Sequence, residues 1–330
     1  MIAAMNPRRS ILSLAVVVCV ATYAVAEPGE AFTDVKSAGP DYQVQGEYKG
    51  MVNIGGVEET FGVQIIALGG GTFRLVAFQG GLPGDGWSRA DQQMEGEGEL
   101  VDGKVTAVIE GVDIEVADGK IAVTTEGETI GTLEKIERKS PTLGKLPTEE
   151  AIVLFDGTST GNFDNGKLVD GKYLGATNAT SKEKFGDHQL HIEFRTPFMP
   201  AARGQGRGNS GVYVQGRYEL QVLDSFGLDG KDNECGGIYS IAKPKVNMCL
   251  PPLAWQTYDI DFTAAQFDDD GNKSKNARVT IRHNGVVIHE DLEITHGTPG
   301  HSGEGPGDEH LYLQDHSNPV VFRNIWVVKK

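Results

Sequence analysis

The feature that most constrains this chain is a two-residue alternation of apolar and polar side chains, broken at short intervals by glycine. It is clearest from Gly208 to Phe226, where Val212 and Val214 alternate with Tyr213 and Gln215, and Tyr218, Leu220 and Val222 alternate with Glu219 and Gln221. Successive side chains on a strand point to opposite faces, so this segment predicts two strands with one face in a core and the other forming a polar wall. Gly216-Arg217 is the expected hairpin turn between them. Helix-period patterns are nearly absent, and the fold class expected is all-β.

The same punctuation divides the chain. Over residues 40–139, alternating runs (42–48, 62–68, 72–78, 104–109, 120–124) are separated by Gly55-Gly56, Gly69-Gly70-Gly71, Asp102-Gly103 and Asp118-Gly119. That spacing predicts a small β-barrel or sandwich over 27–139. Residues 140–150, with Pro141, Gly144 and Pro147, read as a linker. From 151 to 330 further strands, most with one apolar and one mixed face, predict a two-sheet sandwich. Asn284-Gly285 marks one of its hairpins.

Residues 1–26 read as a cleaved export signal. Arg8 and Arg9 give a basic start, an apolar run follows, and Ala24-Val25-Ala26 fits a cleavage site. The run is too short to favour a spanning helix, so no membrane span is expected after cleavage, and the localisation expected is periplasmic or secreted. General and twin-arginine export both remain open. Losing Arg8 and Arg9 takes the formal charge from −16 to −18, which excludes nucleic acid as a partner and keeps the chain off anionic membranes. Only Cys235 and Cys249 then remain. In an exported protein the pair is expected as a disulfide, closing a loop of about 15 residues and worth on the order of 3 kcal/mol. Two buried thiols are the alternative.

Several phrases are specific in combination: LFDG at 154–157, FGDHQLHIEFRTP at 185–197, GNSGVYVQGRYELQVLDSFG at 208–227, NECGGIY at 233–239, WQTYDI at 255–260, NARVTIRHNGVVIH at 276–289 and LQDHSNPVVFRNIW at 313–326. Over 151–330 the chain resembles the 3-keto-disaccharide hydrolase family. The resemblance implies a concanavalin A-like, laminin-G-like jelly roll and action on glycosides oxidised to a ketone at sugar carbon 3. The family's Gly-Trp pair after LFDG is replaced here by Gly161-Asn162-Phe163, which bears on sugar stacking at this edge and not on the fold. Residues 27–139 fall outside the resemblance.

The candidate catalytic residues are Glu219, Asp224, Asp315 and His316. Glu219-x-Gln221-x-x-Asp224 loosely resembles the bulged strand of family 16 glycosidases, where two carboxylates about 5 Å apart serve as nucleophile and acid/base. Asp315-His316 follows a strand, and an aspartate can orient a histidine poised near neutral pH. The alternative for each is an ordinary strand-end turn. The substrate-binding candidates are His191, Glu193, Tyr213, Gln215, Gln221, Gln314 and Arg323. If the faces coincide, His191, Glu193, Glu219 and Gln221 form one polar cluster on one wall. Arg323 could polarise a carbonyl or serve an ion pair. No cofactor is required by the sequence. A divalent metal such as calcium is the minority reading of Asp268-Asp269-Asp270-Gly271-Asn272 and of the Gly- and His-rich segment 296–310. The partner expected is a carbohydrate. The function expected is cleavage of 3-keto-glycosides by elimination and hydration, with a conventional retaining glycosidase and a non-catalytic glycan-binding module as alternatives.

Overall fold

The computed structural model describes residues 29–330, and the expected export signal lies outside them. The first unit is a closed, eight-stranded antiparallel barrel. Its strands run Gly46–Ile54, Val57–Gly69, Thr72–Gln79, Gln93–Val101, Lys104–Ile109, Val112–Ala117, Lys120–Thr125 and Glu128–Ile136, each pairing with the next, and the last closes on the first. The alternation in the sequence is the inside–outside alternation of the barrel: Val105, Ala107 and Ile109 point inward and the residues between them are exposed. Closure leaves no unpaired edge. One end is plugged. The short helix Gly39–Val44 and Phe198 and Leu253 of the second unit join Tyr48 and Phe73 in the barrel core.

The second unit is a two-sheet antiparallel sandwich. The large sheet runs, in spatial order, Leu168–Val169, Tyr173–Gly175, Val321–Lys329, His188–Arg195, Gln256–Thr263, Ala277–His283 and Val286–Ile294, and Ile152–Phe155 also pairs with Val321–Lys329. The small sheet runs Phe163–Asp164, Ala179–Phe185, Glu309–Leu313, Ser210–Val214 and Tyr218–Val222. Leu190, Ile192 and Phe194 from the large sheet and Val212, Leu220 and Leu313 from the small sheet meet in one core. Fully burying one such side chain is worth about 1.5–3 kcal/mol. The outer edge of Tyr218–Val222 is covered by the NECGGIY segment: Gln221 donates to the Gly237 carbonyl, and Tyr239 donates to that of Glu219.

The two units share a core. Ile66, Val76, Phe78 and Leu82 on the outside of the barrel pack into the sandwich cluster. Arg74 donates to the Gly227 carbonyl at 2.9 Å, and Arg207 to that of Ala67 at 3.1 Å. Gly227 has φ +75°, and a side chain there would overlap Ile66, so glycine is needed for this approach.

The bridge expected between Cys235 and Cys249 is not formed. Both are free thiols buried in the sandwich core. Cys235 Sγ lies 3.2 Å from Tyr258 Oη, and Cys249 faces the Leu223 carbonyl at 3.5 Å. They act as small apolar side chains with weak donors. Among the described residues no helix is long and apolar enough to cross a membrane.

Candidate active site

The single wall expected from alternation is two walls on opposite sheets. His191 and Glu193 face outward from the large sheet, under the segment 140–145, which lies across them as a strap. Glu193 Oε1 accepts from the Gly144 amide at 2.6 Å and from Asn324 Nδ2 at 2.9 Å, and Oε2 accepts from Arg323 Nε at 2.7 Å. His191 Nδ1 is 2.8 Å from Asp259 Oδ1, and its ring stacks on Trp326 at 5.1 Å. Thr142 donates to Asp259 at 2.6 Å, and Asn324 donates to the Lys145 carbonyl at 3.0 Å. Burial pushes the Glu193 carboxyl up, but the hydrogen bonds from His191, Asn324, the Gly144 amide and Arg323 outweigh it and hold it at about 2. His191 is lowered by burial and raised more by Asp259 and Glu193, so its net shift is upward. Arg323 also lies over the Trp255 ring at 4.0 Å. Glu193 fastens the strap to the sheet directly, and His191 and Arg323 hold the groups around it.

Glu219 faces outward from the small sheet in a different setting. It is 4% exposed. Tyr213, directly across the strand pair, donates to Glu219 Oε2 at 2.8 Å and lies 3.2 Å from the Pro299 carbonyl. That hydroxyl has one proton, so it can serve the carboxylate or turn to the carbonyl once Glu219 is protonated. Gln314 Nε2 donates to the Tyr213 hydroxyl oxygen at 3.1 Å. Burial pushes the Glu219 carboxyl up to about 7, with the Tyr213 hydrogen bond pulling the other way. Tyr213 is itself pushed well above the ordinary phenol range by burial and by the Glu219 charge. Gly211 makes room for this pair, since a Cβ there would sit 2.6 Å from Glu219 Oε1. Gln221 donates to Asn209 Oδ1 at 3.0 Å and Gln205 Oε1 at 3.3 Å. The carboxamide oxygens of Gln221 and Gln314 are buried without a partner. Buried acceptors of this kind are costly unless a donor arrives.

The segment 296–307 folds over this wall. Thr298 Oγ1 accepts from the Glu219 amide at 2.8 Å, Ser302 donates to the Gly216 carbonyl at 2.8 Å, and Glu304 accepts from Tyr218 Oη at 2.7 Å. Gly300 sits against the Tyr213 hydroxyl, where a side chain would overlap it. His301 stacks on Tyr312 at 4.0 Å, and Tyr312 meets Tyr213 edge-on at 5.2 Å.

The remaining candidates lie off this wall or, like Asp315, at its rim. Asp224 is buried against Arg207, Nε to Oδ2 at 2.7 Å, at the junction with the barrel, so it is spent on an ion pair. Gln215 leaves the wall because it is a turn residue with φ +52°, and its amide donates to the Phe185 carbonyl at 2.8 Å. The turn is therefore Gln215-Gly216, one residue earlier than expected, closed by Arg217 N to Val214 O at 3.1 Å. Asp315 and His316 are exposed, and Asp315 Oδ1 accepts from the Ser317 amide at 2.8 Å, which makes an ordinary turn. Asp268 Oδ1 accepts the Asp270 and Asn272 amides in the same way. Among the described residues no three or more His, Cys, Asp or Glu side chains gather closely enough to hold a metal ion.

The structure brings together Tyr213, Glu219, Gln221 and Gln314, and adds Gln205, Asn209, Thr298 and Tyr312, which the sequence reading missed. Asn209 and Tyr312 had a signal. Asn209 is in phase with Gly211 and Tyr213, and Tyr312 alternates with the buried Leu311 and Leu313. Gln205 and Thr298 come from loops, where no periodicity applies.

Comparison with known proteins agrees with this architecture. A Parabacteroides distasonis protein provisionally named a glycosyl hydrolase, known from a crystal structure, is 32% identical, with a TM-score of 0.51 over 55% of this chain and 84% of its own. Another provisionally named glycosyl hydrolase from the same organism is 20% identical, with a TM-score of 0.40 over 55% of this chain and all of its own. No curated protein matches the chain. Residues 150–328, more than half of the sequence and the whole of the sandwich that carries Glu219, match the profile of the 3-keto-alpha-glucoside-1,2-lyase-like domain, and the chain belongs to that family.

Proposed function

We propose that the protein is an exported carbohydrate-active enzyme that cleaves glycosides carrying a ketone at sugar carbon 3, by elimination and then hydration, with Glu219 as the base. The observation that carries this reading is a lone buried carboxyl raised to about 7, with one hydroxyl donor and two unpaired amide oxygens beside it. A base with a pKa near the working pH is suited to removing a carbon-bound proton. The ketone acidifies the proton at carbon 2. Glu219 takes that proton, the resulting enolate expels the group at carbon 1, whose oxygen leaves as a hydroxyl with the proton returned from Glu219, and water then adds across the double bond. Tyr213 is the hydrogen-bond donor for the enolate oxygen. Gln221 and Gln314 accept sugar hydroxyls.

The retaining glycosidase reading needs a second carboxylate about 5 Å from the first. The candidate for that role, Asp224, is bound to Arg207 and to the Phe226 amide instead. The test is product analysis on matched plain and 3-keto disaccharides deuterated at carbon 2. Cleavage of the keto substrate with loss of deuterium to water is expected. Cleavage of ordinary disaccharides with the deuterium retained would establish a glycosidase. Glycan binding without product release would establish a binding module.

A further inference from the structure

The barrel supplies a second enclosed site, independent of the sandwich. Its closed half is filled by Tyr48, Phe73 and the intruding Phe198. Its other half is lined by shorter side chains, among them Val63, Leu75, Ala77, Ile121 and Val123, which leave a cavity of about 90 Å³ on the axis. Every lining side chain is apolar. Eight strands give an interior just wide enough to be filled or to hold one small ligand, and this barrel does one at each end.

The open end is formed by three hairpin turns and the connection 80–92, whose Arg89 is turned away to carbonyls of the sandwich. Ile54 and Val57 there are 47% and 58% exposed. Ile54, Val112 and Ile130 line both the cavity and the mouth outside it, so the two spaces adjoin across these three side chains. The turns carry Glu58, Glu110, Glu126 and Glu128, all exposed, and no Lys or Arg lies between residues 54–58, 109–112 or 125–128. An interior without a hydrogen-bonding side chain rejects sugars and ions, because their polar groups would go unpaired. The acidic rim repels carboxylate and phosphate headgroups.

We propose that the barrel binds a neutral hydrocarbon-like molecule no larger than a single aromatic ring, entering through the hairpin end. Cavities of this lining and size hold small apolar molecules in preference to water. A protein segment is too wide for it, and a second copy would have to bring acidic rim against acidic rim.

The test uses the full chain and benzene, followed by titration calorimetry, with benzenesulfonate as the anionic comparison. Saturable one-to-one binding of the neutral probe is expected, with the sulfonate weaker. Val123→Phe, which fills the cavity, should weaken the neutral probe by about tenfold or more, a loss of ~1.4 kcal/mol per tenfold, and leave the melting temperature within a few degrees. Ala77→Leu is the second filling variant if Val123→Phe does not fold. Joint Glu126→Lys and Glu128→Lys should strengthen the sulfonate selectively. Absence of saturable binding by the parent chain, or parent-like affinity in a folded filling variant, would overturn the proposal. So would probe binding that tracks dimerisation in sedimentation.

Discussion

Glu193 and Glu219 look alike in the sequence: each is an acidic residue at an outward position of a strand that alternates apolar and polar side chains. Both are buried, at 0% and 4% exposure. Their physical states are opposite. Glu193 is held at about 2 by donors that more than repay its burial, whereas Glu219, with Tyr213 as its hydroxyl donor, is left near 7. A carboxylate whose lone pairs are all served has no capacity left for a substrate. A carboxyl left short of donors is costly for the fold and available for chemistry. The first wall holds the strap that joins barrel to sandwich, and the second is the candidate active site.

The largest expected effect comes from breaking the satisfied wall. Glu193→Ala leaves Arg323, Asn324 and the Gly144 amide without their acceptor, and should destabilise the sandwich by about 3–5 kcal/mol, read as a lower denaturant midpoint. The stability that Glu193 confers is present above pH 4.5, its unperturbed value, and is lost as pH falls toward 2. The parent chain should therefore lose more stability over that window than the variant, which keeps only the other lowered carboxylates such as Asp259. A flat difference between the two across it would break the contrast.

Next in size is the effect at the unsatisfied wall. Glu219→Gln should lower turnover of 3-keto substrates by about 10²-fold or more while the far-ultraviolet spectrum is unchanged. The same variant reverses the sign of the stability effect. A carboxyl raised to about 7 when folded costs stability as pH rises from about 4.5 to 7, because only the unfolded chain releases its proton freely. Glu219→Gln should then be more stable than the parent above pH 7, by on the order of 1–3 kcal/mol, and equal to it near pH 4. An enzyme that gains stability on losing its base is the pairing expected at a strained functional site.

The fold was legible because alternation and glycine spacing report burial directly. Gly55-Gly56, Asp102-Gly103 and Asp118-Gly119 are all turns, and Tyr213 and Glu219 share a face as two-residue periodicity requires. What periodicity cannot report is which sheet a wall belongs to, or what lies on it. The groups that satisfy Glu193 come from 49 positions before it and from 130 and 131 positions after it. The segment that covers Glu219 begins near residue 296. Neighbours in sequence part for the same reason: Asp315 and His316 are adjacent and exposed on a turn, while Gln314, one residue earlier, is still on the ladder through its amide to Gly211 O at 3.0 Å. Asp224 follows the strand closely enough to suggest a catalytic pair, and only the fold reveals Arg207 beside it.

The smallest expected effect sharpens the comparison most, since it changes the number of donors on Glu219 without touching the carboxyl. Tyr213 lowers the Glu219 pKa through its hydrogen bond, against the rise caused by burial. Tyr213→Phe keeps the ring against Tyr312 and removes that donor, so the Glu219 pKa should move further up. The base must be ionised to act, so the acidic limb of the pH–rate profile should shift to higher pH, and activity below pH 7 should fall more than activity at pH 9. A loss of rate that is uniform across pH would mean that Tyr213 acts on the substrate alone. A limb moving to lower pH would mean that Glu219 is not the group titrating in the profile, and the distinction drawn between the two carboxyls would lose its functional meaning.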